Sequence, residues 1–301
     1  MENTDKIISD CKSRWGIIGT EKRISAFETN LPVFFEEFSE DELEIIIPLI
    51  NNMNYYTHRK INALLKELHC KVIELPEYDE NNTVFCVLKT LTGKINSSTE
   101  YMCEYRRLNK INTYSVITNL DDLDPVAWEY IKTVVFVDDF CGSGDTFIKF
   151  LNTHMNCLRR KNIVYAAIHM MQDAIKRIKE ETVNDELKIK LLCCVKSKKA
   201  FSGVDFVEKL KFLEMSKKVG ITDEEDDVWG YNKTEALIAY YNNTPNNTLG
   251  MFRKDTENNK ALFPRRNEKK PGWLREMQAE KRKRQEGNYK RKVNSINGRL
   301  C

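Results

Sequence analysis

Residues 134–146 read Val134-Val135-Phe136-Val137-Asp138-Asp139-Phe140-Cys141-Gly142-Ser143-Gly144-Asp145-Thr146. The four apolar residues predict a buried parallel strand over 133–138, with two adjacent carboxylates at its C-terminal end. A short glycine turn then leads into a helix that we predict from residue 145 or 146 to about 160. In an open α/β sheet, ligands bind at the carboxyl ends of the strands, so this stretch predicts a ligand site on an α/β fold.

The turn has the composition of a phosphate cradle, because the backbone N–H groups of a Gly-Ser-Gly turn that opens a helix point at one anion. Carboxylates repel a phosphate, so the acid pair needs ribose hydroxyls, a hydrated Mg²⁺, or both. The stretch therefore predicts a site for a phosphorylated ribose. The alternative is a buried strand followed by an ordinary turn. The predicted roles are catalysis and Mg²⁺ binding for Asp138 and Asp139, and phosphate binding for Cys141, Gly142, Ser143, Gly144, Asp145 and Thr146.

The order of four apolar residues, two acids, two apolar residues and a Gly/Thr-rich loop resembles the phosphoribosyl-diphosphate (PRPP) signature of type I phosphoribosyltransferases. The resemblance implies a mainly parallel twisted sheet and a second, diphosphate-binding loop. Val87-Leu88-Lys89 looks like the start of that loop in hypoxanthine–guanine enzymes, which places Lys89 and Thr90 in it. This sequence departs from those enzymes by carrying Thr90-Leu91 where they have two glycines.

Two further departures concern chemistry. Purine phosphoribosyltransferases carry an Asp two residues before the Gly of the phosphate turn, where it exchanges a proton with the base; this chain has Gly142 there. Residues 118–132 fall where these enzymes place a mobile lid, yet they are acidic at Asp121, Asp122 and Asp124 and lack residues that clamp a diphosphate. Both departures count against a conventional transfer reaction.

A third region extends the resemblance. The segments Gly230–Leu237, Asn243–Leu249 and Leu262–Arg265, taken with residues 138–144, look like the phosphoribosyltransferase-like proteins of bacterial conflict systems, which are found near retrons and other anti-phage modules. Asn246 and Asn247 lie in a polar turn whose amides could read a base. His169 ends a predicted strand on the ligand side and is the third base-pocket candidate. For all three, a purely structural role is the alternative.

The composition indicates the general class of the protein. The chain has 301 residues, of which 41% are hydrophobic and 31% charged, as in an ordinary globular protein. Its nine cysteines are odd in number, scattered and without metal-ligand spacing, which indicates reduced thiols rather than disulfides or zinc. No apolar run reaches 18 residues and the start does not resemble a signal peptide, so we expect a cytoplasmic protein with no membrane partner.

The expected organisation has three parts: a helical N-terminal extension (1–78), a phosphoribosyltransferase-like α/β domain (79–264) and a basic tail (265–301). We predict strands at 83–89, 114–118, 133–138, 162–169 and 188–195, with helices at about 98–109, 145–160, 172–181 and 204–219. The tail carries thirteen Lys and Arg against four Glu. It predicts an electrostatic surface for nucleic acid or a protein of a defence complex, or else a solvated tail without a partner.

These features lead to two functional hypotheses. The first is an effector, a glycosyltransferase if active, that binds PRPP or a nucleotide 5′-phosphate with Mg²⁺ and transfers or cleaves a ribosyl group in anti-phage defence. The second is a catalytically inactive, nucleotide-sensing or scaffold subunit of a defence complex. The intact acids and turn favour the first, whereas Gly142 and the acidic lid favour the second.

Overall fold

The structure is a computed structural model that describes residues 4–88, 96–182, 187–222, 227–266, 271–277 and 279–281. The chain forms two units, Met1–Arg265 and Arg266–Cys301. In the second unit, residues 272–277 and 279–281 are helical. Among the described residues, no helix combines the length and apolar character needed to cross a bilayer. Lys89 and Thr90, which we predicted in a diphosphate loop, lie outside the described residues.

The first unit begins with helices, as the sequence predicts: α1 (Thr4–Trp15), α2 (Lys22–Glu36), α3 (Glu40–Asn51), the short strand β1 (Asn54–Tyr56) and α4 (His58–Ile73). Ser39 and Glu42 form a capping box at the start of α3, and the Thr57 side chain accepts a hydrogen bond from the Lys60 backbone N–H at the start of α4. These caps satisfy backbone N–H groups that have no partner within a helix.

A five-stranded parallel sheet follows, and all five predicted strands are present. Its elements are β2 (Thr83–Val87), α5 (Ser97–Asn109), β3 (Val116–Ile117), α6 (Pro125–Tyr130), β4 (Thr133–Cys141), α7 (Asp145–Thr153), α8 (Met155–Leu158), β5 (Asn162–Met171), α9 (Gln172–Glu181) and β6 (Lys188–Ser197). The strand order is β3-β2-β4-β5-β6. Because the order reverses between β2 and β4, their carboxyl ends flank the crevice where such sheets bind ligands.

Two predicted bounds are wrong. The strand predicted at 133–138 continues through both carboxylates to Cys141, since Phe140 and Cys141 still pair with β5. The helix predicted over 145–160 is broken at His154, which leaves the helical conformation (φ −108°) while its Nδ1 lies 2.9 Å from the carbonyl oxygen of Phe150. The His154 backbone N–H still donates to the Phe150 and Leu151 carbonyls, so α7 ends at His154 in a hydrogen-bonded cap before α8 begins.

The remaining elements are α10 (Phe206–Lys218), β7 (Ile238–Tyr240) and α11 (Gly250–Arg253). Strand β7 pairs in parallel with β1 as a separate two-stranded sheet, with Asn54 opposite Ile238. A second hydrophobic core unites the helices α1–α3 with apolar residues between 201 and 263. The division that we predicted at residue 78 therefore runs through shared packing, because these N-terminal helices bury their apolar faces against the far end of the same unit.

Candidate functional site

The cavity at the end of β4 brings together most of the predicted phosphate and acid residues. Its volume is about 230 Å³. Asp138 lies at its wall, the turn Cys141–Thr146 surrounds it, and Asn246 and Asn247 approach from the segment before α11. Helix α7 begins directly after the turn, so the N–H groups of its first residues point toward this space without partners inside the helix.

The two acids occupy different surroundings within β4. Asp138 and Asp139 are neighbours in the strand, and each carboxyl is a side-chain hydrogen-bond partner of the other. Asp138 accepts a hydrogen bond from the hydroxyl of Tyr165 on β5 (3.1 Å). Asp139 has Ser97 of α5 as a side-chain partner, and its backbone carbonyl accepts a hydrogen bond from Tyr240 of β7 (3.1 Å). Only Asp138 is among the residues that line the cavity.

Burial dominates the electrostatics of the pair. Asp138 and Asp139 are 7% and 8% exposed. Loss of solvation raises the pKa of Asp138 well above its usual value, and the negative charge of Asp139 raises it further. The pKa of Asp139 is also raised, mainly by burial. Two carboxyls held in this way are stabilised by any ligand that brings hydroxyl donors or positive charge to them.

The oxygen donors of the pair suit Mg²⁺, which takes one or two carboxylates and completes its shell with water and ligand phosphates. The part of the chain that the structure describes contains no cluster of three or more His, Cys, Asp or Glu side chains able to hold a metal. Two carboxylates supply only part of such a shell, so a Mg²⁺ ion at this pair would need further oxygens from a ligand or from water.

Two positions of the turn, Gly142 and Gly144, have little room for a Cβ atom. A Cβ atom at residue 142 would lie 2.7 Å from Cγ of Asn247 and 2.9 Å from a ring carbon of Phe140. A side chain at this position, where purine phosphoribosyltransferases carry an acid, would have to displace the Asn247 amide. Gly144 has a φ of +80°, which L residues rarely adopt, and a Cβ there would lie 2.9 Å from Ile178.

The side chain of Asp145 is directed at the scaffold rather than at the cavity centre. It forms an ion pair with Arg177 of α9, and the Tyr231 hydroxyl lies 3.3 Å from its Oδ2. Arg177 also donates to the Ser143 carbonyl (3.2 Å). Burial opposes the charge of Asp145, but the hydrogen bonds of Arg177 and Asn232 outweigh it and lower the pKa. Asp145 therefore anchors the turn to two neighbouring segments.

His169 does not line the cavity, contrary to our prediction for the base pocket. It is 1% exposed, with Nδ1 2.9 Å from the Tyr56 hydroxyl and Nε2 2.7 Å from Oγ of Ser197. Burial lowers the pKa of His169 to about 4, so the ring is neutral at physiological pH. Both ring nitrogens already have partners, and the base-pocket expectation now rests on Asn246 and Asn247 alone.

Cys141 and Thr146 both lie at the cavity. Cys141 lines the cavity, and burial raises the pKa of its thiol to about 12, which keeps it neutral and agrees with a packing role. Thr146 is exposed at the cavity rim. The Nδ2 amide of Asn247 donates to Oγ1 of Thr234 (3.0 Å), which holds the Asn247 side chain over the turn.

Sequence reasoning missed Tyr165, Arg177 and Tyr231. The signal for Tyr165 was a single hydroxyl inside the apolar run Ile163–Ile168, in the strand that neighbours the acids. The Tyr165 ring stacks on Phe147 at 4.2 Å and directs its hydroxyl to Asp138. No pattern in the sequence indicated Arg177 or Tyr231, because their contacts with Asp145 join segments 32 and 86 residues away.

The acidic segment 118–132 lies away from the cavity. Asp121 is 3.9 Å from Nε2 of His154, just beyond the end of α7 that is opposite to the phosphate turn. The indole N–H of Trp128 donates to the Cys157 carbonyl (3.0 Å), and Lys161 donates to the Trp128 carbonyl (2.8 Å). Since α7 spans nine residues, about 13 Å separates these contacts from the turn.

A parallel sheet with two buried acids and a glycine turn at its switch point defines a phosphoribosyltransferase-like protein. The chain belongs to the PRTase-CE family, whose profile it matches over residues 29–265. Its fold is of the type I phosphoribosyltransferase kind. The sequence has no significant match among curated proteins.

Solved structures offer weaker similarities. A Helicobacter pylori xanthine-guanine-hypoxanthine phosphoribosyltransferase is 14% identical, over 52% of this chain and 95% of that one, with a TM-score of 0.32. An orotate phosphoribosyltransferase from Aeropyrum pernix is 14% identical, over 51% and 75%, with a TM-score of 0.29. A hypothetical protein from Neisseria gonorrhoeae with bound ppGpp is 14% identical, over 48% and 85%, with a TM-score of 0.33.

Proposed function

We propose that the protein binds the phosphoribosyl part of PRPP or of a nucleotide at the end of β4. The observation that carries this proposal is one cavity walled by the buried Asp138 on one side and by the turn Gly142–Thr146 on the other. The turn and the first N–H groups of α7 suit the 5′-phosphate. Asp138 and the neighbouring Asp139 suit the ribose hydroxyls, either directly or through Mg²⁺.

We further propose that this binding serves transfer or cleavage of a ribosyl group by an effector of bacterial anti-phage defence. The likeness of 138–144, 230–237, 243–249 and 262–265 to proteins of conflict systems supports this setting. The retained acids support chemistry at the anomeric carbon, where positive charge develops and adjacent carboxylates stabilise it. Bound Mg²⁺ would neutralise a leaving diphosphate.

The second candidate, a nucleotide sensor without catalysis, is favoured by two specific observations. The space above Gly142 is filled by an amide, which cannot exchange a proton with a base as a carboxylate does. The segment 118–132 is anchored beyond the far end of α7, where it cannot cover a diphosphate. The two candidates share the binding site and differ only in turnover.

Thermal shift with PRPP and nucleoside monophosphates, with and without Mg²⁺, tests the binding site. A ligand at 100 times its Kd stabilises a fold by about 2.7 kcal/mol. We expect the Asp138→Asn/Asp139→Asn variant to lose this shift while its free form melts no lower than the parent. The reason is that each unit by which burial raises a carboxyl pKa, up to the working pH, costs about 1.4 kcal/mol of stability.

The exposed Asp10 of α1 provides a control, because Asp10→Asn is the same type of substitution at a residue that does not line the cavity. An equal ligand shift in the parent and in the double variant would refute the site. For turnover, release of free base or diphosphate by the parent but not by Thr146→Ala would support the effector. Tight binding without product across the whole panel would support the sensor.

For residues 265–301 we propose binding to single-stranded nucleic acid, because this segment carries a net charge of +9 whereas the whole chain carries +3. The affinity for a labelled strand should fall steeply with salt and should drop when the chain ends after Arg266. This truncation keeps Arg265, whose backbone N–H donates to the Arg253 carbonyl (2.8 Å) within the first unit. Equal binding by the full and truncated chains would remove the tail from the function.

A further inference from the structure

A second cavity, of about 440 Å³, lies on the opposite side of β5 from the phosphate turn. The residues that follow β6, the loop between α3 and β1 and the first turn of α4 form its walls. Its volume is within the range of pockets that hold small organic ligands. We name it the β6 cavity.

The charge of the β6 cavity is one-sided. Four cationic side chains line it, namely Arg14, Lys60, Lys198 and Lys199, and no Asp or Glu is among its described lining residues. Lys60 and Lys198 form no ion pair with any described carboxylate. Lys199 has a carboxylate partner, Asp173, at 3.6 Å. Four like charges around one space repel each other, and an anion that enters relieves that repulsion.

The lack of a compensating negative charge is clearest at Lys60. It is half-buried, and burial lowers the pKa of its ammonium group. Its Nζ lies 5.3 Å from the ring centre of Tyr56, so an aromatic face is the attractive partner that the structure gives it. A phosphate oxygen would supply the negative charge that this buried ammonium group lacks.

Polar amides complete the lining. Asn51, Asn52 and Asn54 border the cavity beside the buried Trp15. The indole N–H of Trp15 is bonded to the Met53 carbonyl (2.7 Å), and Nδ2 of Asn52 is bonded to the Pro48 carbonyl (3.0 Å). Each Asn side chain has both donors and an acceptor, which together can read a sugar or the edge of a base.

The β6 cavity is separate from the cavity at the end of β4, which we name the β4 site. A third space adjoins both. A cavity of about 160 Å³ has Lys199 in its wall together with Gly142 and Ser143 of the phosphate turn. In addition, Ser197 at the end of β6 lines the β6 cavity and bonds to His169, which pairs with Phe140 beside the acids. The two cavities are thus close to each other but have no lining residue in common.

We propose that the β6 cavity is a second binding site that takes an oligophosphate, in particular a nucleoside triphosphate, independently of ligand binding at the β4 site. Because Asp173 already pairs with Lys199, three cations remain, and a triphosphate carries enough negative charge to neutralise all three whereas a single phosphate does not. The asparagines beside the cations provide donors and acceptors for the nucleoside. The site has no part in the ribosyl chemistry proposed above, and it survives if that proposal fails.

Isothermal titration calorimetry with inorganic triphosphate and with ATP tests the proposal on the full chain. The Lys60→Gln/Lys198→Gln variant should raise the Kd for either ligand at least roughly tenfold, since each lost ammonium–phosphate contact is a charge-assisted hydrogen bond. Lys196→Gln is the matched control, because Lys196 is an exposed lysine of β6 that does not line the cavity. Asp138→Asn should leave this binding unchanged.

Several results would overturn the proposal: no binding of triphosphate by the parent, equal loss in Lys196→Gln and in the double variant, or abolition by Asp138→Asn, which would place the ligand in the β4 site. Displacement of triphosphate by a short single strand but not by ATP would also overturn it. Lys198 is exposed, so Lys198→Gln alone keeps the test available if the Lys60 replacement fails to fold. Tighter binding of ATP than of triphosphate would support hydrogen bonds between the asparagines and the nucleoside.

Discussion

The two hydrophobic cores of the first unit differ in the distance along the chain between the residues that they unite. The sheet core is built from consecutive βα pieces, such as Phe136 of β4 against Phe147 and Phe150 of α7. The second core stacks Phe27 on Phe263 at 5.3 Å, across more than 230 residues. Local patterns therefore specify the sheet, whereas the second core exists only when both ends of the unit meet.

The β4 site combines these two kinds of construction. The sheet supplies Asp138, Asp139 and the glycine turn from one continuous stretch. The segment that belongs to the second core supplies Tyr231 and Asn247, which complete the cavity. Damage to the second core should therefore impair ligand binding as well as stability, although its residues lie away from the phosphate.

The largest expected effect is on the free energy of unfolding, and it tests whether the two cores unfold as one cooperative unit or as two. Phe263→Ala and Phe136→Ala should each destabilise by about 3–5 kcal/mol, because both rings are fully buried and leave a cavity. We expect a single denaturation transition in both variants, measured by chemical unfolding. A separate transition of Phe263→Ala at lower denaturant concentration, at which the sheet stays folded, would show that the second core unfolds separately.

The next prediction concerns His169, whose two ring nitrogens contact Tyr56 of β1 and Ser197 of β6. Its pKa is about 4 when folded and near 6.5 when unfolded, so the unfolded chain binds a proton that the folded chain does not. Stability is then fully present above pH 6.5 and declines as the pH falls toward 4, by about 3 kcal/mol from this group. Unfolding free energies measured from pH 7 to 4 should decline less in His169→Gln. Parallel curves for parent and variant would contradict the lowered pKa.

Gly142→Ala tests the contact between the sheet and the distant segment directly. The new methyl group meets the Asn247 amide, so we expect a loss of about 1–2 kcal/mol and weaker binding of a phosphoribosyl ligand. In an Asn247→Ala background the same change should have a smaller effect, because the obstructing atoms are gone. Strict additivity in this double-mutant cycle would mean that Asn247 does not occupy the space above the turn.

The smallest effect is expected for Arg177→Ala. Arg177 is partly exposed, so the ion pair with Asp145 contributes at most about 1 kcal/mol to stability. Its hydrogen bond to the Ser143 carbonyl holds the turn, and the affinity for a phosphoribosyl ligand should fall more than the stability does. Lys176→Ala, one residue earlier and exposed, is the control. An unchanged affinity would show that the turn keeps its shape without α9.

The strand pattern, the acid pair and the glycine turn could be predicted from the sequence, because each depends on residues within about a dozen positions. Period, apolar runs and turn residues act through local backbone geometry, and they located all five sheet strands and both acids. The end of β4 could not be predicted in this way, because it depends on the pairing of Phe140 and Cys141 with β5.

Only the tertiary structure decided which side chains the cavity shares. It directed His169 into a buried hydrogen-bond chain, Asp145 toward Arg177, and Asn247 into the space over Gly142. It also gathered Arg14, Lys60, Lys198 and Lys199 around one cavity, although no pattern joins them in the sequence. The physical reason is that packing of distant segments sets these contacts, and burial then fixes the charge and the partners of each group.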